Sequence, residues 1–192
     1  MSFYNPRIHH RRTIRVYERD YSAIGTYFIT MCTMERERIF GDIHNDHVIL
    51  NKFGQCAREF WRAIPEHFPF VNIDTFVIMP DHMHGILKFC GNTDAGRGDT
   101  GTVLGDEGTA CRAPTTDTHR QFGRGIPRSL SSVIGSYKSA VTKRINDIRN
   151  TRGQPIWQRN YHERIIRDDA ALQNMRQYIA NNPKQWSVEH GP

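Results

Sequence analysis

An α+β fold is what the sequence predicts: an antiparallel sheet with helices packed on one face. Three observations predict it. Apolar residues recur at helical spacing over 52–67 and again over 129–145. Residues 27–33 and 71–89 are instead runs of β-branched and aromatic residues, which read as strands. Between these segments lies a polar tract, 91–126, with almost no core-forming residues.

Taken in order, Tyr27-Phe28-Ile29-Thr30-Met31-Cys32-Thr33 opens the fold as a strand. Phe53, Cys56, Ala57, Phe60, Trp61, Ala63, Ile64 and Phe68 then line one side of an amphipathic helix over 52–67. Residues 71–89 are two strands or one long bent strand. Val71, Ile73, Phe76 and Ile78 lead in, and His82, His84, Ile86, Leu87 and Phe89 follow. After Pro127 a helix has Leu130, Val133, Ile134, Tyr137, Ala140, Val141 and Ile145 on its apolar side, while Lys138, Lys143, Arg144 and Arg149 mark the other side or its edge. Ile156 to Ile166 reads as an extended, mostly strand segment. Asp168 or Asp169 caps a final helix through Leu172, Met175, Tyr178 and Ile179. Pro183 is expected to stop it, because a residue before proline disfavours the α region. Strand, helix, strand–strand, insertion, helix, strand, helix is a ferredoxin-like connectivity with an extra C-terminal helix.

Length and composition bound the rest. A chain of 192 residues fits a single domain, here 1–192, with a basic arm at 1–20 and a flexible insertion at 91–126. The arm holds Arg7, Arg11, Arg12, Arg15 and Arg19 with His9 and His10. The insertion, Asp94-Ala95-Gly96-Arg97-Gly98-Asp99-Thr100-Gly101 at its centre, buries too little apolar area to offset its ordering entropy. Net charge is +6 and pI about 9.4, which favours a polyanionic partner; Arg11, Arg12 and Arg15 in the arm and Lys138, Lys143 and Arg144 on the helix are the candidate phosphate contacts. The bland alternative is a solvated surface with surplus cations. No apolar run spans a membrane, and the N-terminus has no apolar signal core. Cys32, Cys56, Cys90 and Cys111 lack CxxC spacing and read as reduced thiols of a cytoplasmic protein.

The chemistry centres on His82-Met83-His84. In a strand, residues i and i+2 share a face, so two imidazoles lie side by side. Tyr178 and Asn182 are four apart in the final helix and share a face one turn from each other. Free tyrosine has a pKa near ~10 and is a poor nucleophile at neutral pH. A divalent ion on His82, His84 and the Asn182 amide oxygen would polarise a scissile phosphate and position it. Attack by Tyr178 then gives a covalent phosphotyrosine and frees a 3′-hydroxyl. Breaking and rejoining in this way needs no ATP, and the chain has no GxxxxGK[ST] loop, so no nucleotide cofactor is expected. A mixed nitrogen and oxygen site with open positions fits Mg²⁺ or Mn²⁺ during turnover. Singly, each piece has an ordinary explanation: a strand His-x-His is more often surface or packing, a helical tyrosine beside Met175 and Ile179 is usually core, and Asn before proline is a common helix stop. Tyr137 is the competing tyrosine, and its place on the apolar stripe assigns it to the core.

Met79-Pro80-Asp81-His82-Met83-His84-Gly85-Ile86 resembles the HUH motif of single-tyrosine transposases. Trp157 to Arg167 and Tyr178-Ile179-Ala180-Asn181-Asn182-Pro183 resemble the matching C-terminal segments of that family. Arg11-Arg12-Thr13-Ile14-Arg15, Asp20-Tyr21-Ser22 and Tyr27-Phe28-Ile29-Thr30 look like the N-terminus of the REP-associated tyrosine transposases. The resemblance covers most of the chain except 91–126. It implies cleavage and rejoining of single-stranded DNA at sites flanking hairpins. By motif match, Tyr178 is the nucleophile and His82, His84 and Asn182 are the metal ligands. The implied partner is single-stranded or hairpin DNA, bound by a monomer or a homodimer. Two other classes use the same residues: a metal-dependent phosphodiesterase that activates water and spares Tyr178, and a non-catalytic DNA-binding protein on the same fold.

Overall fold

A computed structural model of the protein describes residues 24–90 and 128–190. The basic arm, with Arg11, Arg12 and Arg15, and the insertion at 91–126 lie outside the described residues.

Strand β1, Gly25–Cys32, alternates its faces: Tyr27, Ile29 and Met31 enter the main core, and Phe28 enters a second cluster on the opposite side. A hairpin follows, β2 (Gly41–His44) and β3 (His47–Leu50), which the sequence reading missed. Its two-residue loop, Asn45-Asp46, has φ of 50° and 63°, the left-handed pair that a tight hairpin turn requires. Asn and Asp reach that region more easily than most residues, so the dipeptide between two short apolar runs was a readable signal.

The predicted helix over 52–67 is two helices. The Asn51 side chain caps α1, Lys52–Arg62, by accepting from the amides of Phe53 at 2.9 Å and Gly54 at 3.1 Å. Ala63 ends it, and Pro65 sits in the first turn of the short α2, Ile64–His67, where a missing N–H costs nothing. Residues 71–89 form two strands, β4 (Val71–Ile78) and β5 (His82–Phe89). The turn between them is tied down by Thr33, whose amide and Oγ1 both donate to the Asp81 carbonyl at 2.8 Å. Ser129 caps α3, Leu130–Arg149, in a capping box with Ser132, and Asn150 ends it in left-handed geometry at φ 57°. Residues 156–161 are irregular apart from one bridge between Thr33 and Trp157, so the predicted strand shortens to β6, His162–Ile166. Trp157 leaves the sheet's path to pack against Phe40 and Tyr137, with ring centroids 5.1 and 5.9 Å away.

The four-stranded sheet has the order β4-β5-β1-β6 with every neighbour antiparallel. Two β–α–β units, β1–α1–β4 and β5–α3–β6, therefore interleave, which is the ferredoxin-like arrangement that the element order predicts. Cys56, Ala57 and Trp61 of α1 and Val133, Ile134, Tyr137, Val141 and Ile145 of α3 cover one face. The last helix, α4 (Asp169–His190), covers the other. Its N-terminus is capped by Asp168, whose Oδ1 accepts from the Ala171 amide at 2.7 Å.

The expectation that Pro183 ends this helix is overturned: α4 runs seven residues past it, to His190. Proline removes the bond to the Ile179 carbonyl and costs on the order of 3 kcal/mol in a helix interior. Packing opposes that cost on both sides of Pro183, by Ile179 and Arg176 before it and by Trp186 against the His82 ring after it. Ile179 is buried with Phe28, Ile86 and Ile166, and a buried aliphatic of this kind contributes roughly 1.5–3 kcal/mol. A charge cluster adds to it. Arg176 donates from Nε and one terminal nitrogen to the two carboxylate oxygens of Asp74, at 2.7 and 2.6 Å, and Lys88 Nζ lies 2.6 Å from the same carboxylate. Asp74 stands where the β4–β5 register shifts, between Ile73 and Phe76, so the cluster pins α4 to both strands. Arg176 holds the Asp74 carboxyl at about 2, against its ordinary 3.8, with burial opposing and Lys88 assisting.

Candidate active site

β5 is the strand that builds the site. It lies inside the sheet and is buried on both faces, Met83, Leu87 and Phe89 toward α1 and α3, and His82, His84 and Ile86 toward α4. Gly85 sits among them because Trp61 presses on the strand there: a Cβ at Gly85 would fall 2.4 Å from Trp61 Cζ2. The two imidazoles are neighbours, with ring centroids 4.8 Å apart, as strand alternation predicts.

Each imidazole has its Nδ1 engaged. His82 Nδ1 lies 2.5 Å from Asp81 Oδ1, and since a carboxylate only accepts, His82 Nδ1 carries the proton. Arg36 balances the other carboxylate oxygen at 3.5 Å. His84 Nδ1 is 2.8 Å from Thr30 Oγ1, a hydroxyl that can accept from the same tautomer. With Nδ1 as the donor on both rings, each Nε2 keeps a lone pair, the arrangement typical of imidazoles held as metal ligands. Burial, helped by the charges of His82 and Arg36 and opposed by Asp81, lowers the His84 pKa to about 3, so the ring is neutral at physiological pH.

α4 forms the roof. Tyr178 stands over His84 and Phe28, with centroids 5.1 and 5.9 Å away, and is 39 % exposed. Asn182, one turn on, is 7 % exposed and turned inward. His82, His84, Tyr178 and Asn182, expected from the sequence to act together, all line one cleft of about 580 Å³. Among the described residues no cluster of three His, Cys, Asp or Glu side chains is arranged to hold a metal, so a third ligand beside the two histidines would be the Asn182 amide. Tyr137 is elsewhere. It is buried in the main core with its hydroxyl donating to the Ala57 carbonyl at 3.1 Å, and burial pushes its phenol well above its ordinary range.

The cleft contains residues that sequence reasoning missed. Gln185, Trp186 and Glu189 line it from the part of α4 beyond Pro183. Trp186 packs on His82 with centroids 5.5 Å apart, and Arg38 lies over its ring. Helical spacing from Tyr178 through Asn182 to Trp186 would have found it, had the helix not been ended at Pro183. Thr30 and His162 also line the cleft, paired across β1 and β6. No local pattern announces them, because strand register brings them there.

Of the candidate phosphate contacts on α3, Lys138 is half-buried, with its ammonium donating to the Gln158 and Arg159 carbonyls at 2.6 and 3.3 Å. Lys143 is exposed along a groove beside α3. Arg144 is exposed and turned toward α1, where its charge opposes the upward push of burial on the Cys56 thiol.

The four-stranded antiparallel sheet, with helices packed on it and a C-terminal helix, matches a transposase fold. A solved REP-associated tyrosine transposase bound to a REP hairpin shares it, with a TM-score of 0.54 at 21% identity, over 93% of this chain and 75% of that one. Two proteins of Haemophilus influenzae match in sequence. An uncharacterized protein is 36% identical over 187 residues, 97% of this chain and 95% of its own length. A second, named for the REP-associated tyrosine transposases, is 29% identical over 176 residues, 91% of this chain and 77% of its own length. No family model matches the chain. In sequence and in fold the chain is similar to the REP-associated tyrosine transposases.

Proposed function

We propose that this protein cleaves and rejoins single-stranded DNA beside hairpins, in the cytoplasm, with Tyr178 as the nucleophile and with Mg²⁺ or Mn²⁺ on His82, His84 and Asn182. One observation carries the reading: a face of β5 and a face of α4 bring an imidazole pair, a tyrosine and an amide into a single cleft. The donor set fits a divalent ion, since Asp81 and Thr30 occupy the two Nδ1 atoms and leave both Nε2 atoms free to ligate. Such an ion, when bound, polarises the scissile phosphate and positions it.

The rest of the chemistry belongs to the chain. Edge-to-face contacts with His84 and Phe28 hold the Tyr178 ring, while its exposed part meets substrate. The phenol gives its proton to solvent as its oxygen bonds to phosphorus. The P–O3′ bond breaks, its electron pair leaves with O3′, and O3′ takes a proton from water. The products are a 5′-phosphotyrosine and a free 3′-hydroxyl, and reversal rejoins the strand without ATP. Hairpin DNA as substrate is supported by the related transposase, which is bound to a REP hairpin.

Incubation with a single-stranded hairpin substrate and Mn²⁺, followed by a denaturing gel, tests the reading. A protein–DNA adduct is expected from the wild type and none from Tyr178→Phe. That substitution removes only a hydroxyl, so folding and DNA binding stay intact. Cleavage that persists in Tyr178→Phe with no adduct would instead describe a phosphodiesterase that uses water. Hairpin binding without any cleavage by the wild type would describe a DNA-binding protein.

A further inference from the structure

We propose that Arg36 is a catalytic residue of this site, one that holds a non-bridging oxygen of the scissile phosphate while Tyr178 attacks it. The proposal rests on the reading of the cleft as the place where a strand is cut and rejoined. Among the described residues that line the cleft, Arg36 is the one arginine or lysine. Phosphoryl transfer spreads negative charge over the oxygens around phosphorus. A guanidinium offers paired N–H donors that match those oxygens, and it keeps its charge across the working pH range. Arg36 gives up no proton in the step. The phenol proton still goes to solvent, and O3′ still leaves with its electron pair.

The backbone aims the side chain. Glu35 and Arg36 have φ of 52° and 58°, two left-handed residues in succession. The left-handed turn at 45–46 and the helix end at 150 are built from Asn and Asp, which reach that region readily. Glu and Arg do not, so nothing local explains the turn at 35–36. Hydrogen bonds enforce it from both ends. The Thr33 amide donates to the Asp81 carbonyl and the Met34 amide to the Ile156 carbonyl, both at 2.8 Å. The Arg36 and Glu37 amides donate back to the carbonyls of Thr33 and Met34, at 3.2 and 3.0 Å. A costly conformation that its surroundings enforce points to a functional position. Here that conformation turns Arg36 toward Asp81 and the cleft.

The guanidinium is only loosely engaged. One terminal nitrogen lies 3.5 Å from Asp81 Oδ2, beyond the range of a good N–H···O bond, and the side chain is 55 % exposed. Arg176 shows the contrast, with two bonds of 2.7 and 2.6 Å to Asp74. The other oxygen of Asp81 is taken by His82. The weak pair therefore keeps Arg36 beside the histidines and lets its donors turn to substrate. Its charge already reaches them: after burial and the charge of His82, Arg36 is the next influence that lowers the His84 pKa.

The test compares full-length wild type, Arg36→Gln and Arg36→Lys. The first measurement is the single-turnover rate of adduct formation at saturating hairpin substrate and Mn²⁺. Arg36→Gln should be slower by roughly 10²–10³-fold, the loss expected when one preorganised donor to a reacting oxygen is removed. Arg36→Lys keeps the charge without the fork and should fall between the two. The Mn²⁺ concentration at half-maximal rate should not change. The second measurement is made in EDTA, without reaction. It compares binding of the substrate strand with the same strand carrying a methylphosphonate at the scissile position. The wild type should bind the neutral linkage about fivefold less tightly near 0.1 M salt, the effect of one phosphate contact on a single strand. Arg36→Gln should bind the two strands alike. Three results would each overturn the assignment. One is an unchanged rate in Arg36→Gln. Another is a loss that excess Mn²⁺ restores, since Arg36 would then act only by steadying Asp81 and His82. The third is an Arg36→Gln protein as sensitive to the neutral linkage as the wild type. A wild type that forms no adduct sinks the reading of the cleft and this assignment with it, whereas a wild-type adduct with undiminished Arg36→Gln sinks the assignment alone.

Discussion

Asp74→Asn is the most informative perturbation of the architecture that brings Tyr178 and Asn182 over the histidines. The Asp74 side chain is 6 % exposed and receives two hydrogen bonds from Arg176 and an ion pair from Lys88. Asparagine keeps the shape and removes the charge. The carboxyl is held at about 2 against an ordinary 3.8, a gap worth on the order of 2 kcal/mol at neutral pH. For a domain of this size that is a fall of roughly 4–8 °C in Tm. Because the folded-state pKa is the lower one, this stabilisation is complete above the ordinary value near 4. It is lost as pH falls through that value toward 2. Thermal and urea melts of wild type and variant should therefore differ at pH 7 and converge near pH 2–3. Adduct formation should slow as well, since Arg176 is half a turn from Tyr178. Equal stability of the two proteins at pH 7, or a gap that persists undiminished at low pH, would refute the reasoning.

Other expectations are simpler. Gly85→Ala should cost about 1–3 kcal/mol in denaturant melts, because its methyl group meets the Trp61 ring across a buried face. Tyr137→Phe should keep full adduct formation and lose about 1 kcal/mol of stability with its bond to the Ala57 carbonyl. His82→Ala and His84→Ala should each abolish Mn²⁺-dependent adduct formation, whereas Asn182→Ala should shift the Mn²⁺ titration to higher concentration, since water can replace a neutral amide oxygen. Excess EDTA should silence the wild type, and full activity of His82→Ala in EDTA would eliminate a metal role.

Much of this protein was legible in one dimension because its signals are periodic. The β-branched and aromatic runs at 27–33 and 71–89 and the helical spacing in 52–62 and 130–145 are produced by the same burial that builds the core, so fold class and element order could be read directly. The His82–His84 pair and the Tyr178–Asn182 pair are also local, two residues apart on a strand and four on a helix, and backbone geometry alone puts each pair on one face. The hairpin at 41–50 was equally local, and its Asn45-Asp46 turn was overlooked.

The sequence by itself determined which residues share a face within each element, and so the two halves of the site. Only the tertiary structure decided that the halves meet. α4 crosses the face of the sheet opposite α1 and α3, held there by Ile179 in a buried cluster and by Arg176 on Asp74, a contact between residues 102 apart. The same long-range packing carries α4 through Pro183 against its local preference and so adds Gln185, Trp186 and Glu189 to the cleft. It brings Thr30 and His162 there by strand register, and sets Lys138 on the carbonyls of 158 and 159. The physical reason is common to all of them. Local propensities are worth a few tenths of a kcal/mol to about 3 kcal/mol per residue, and buried contacts between distant segments sum to more.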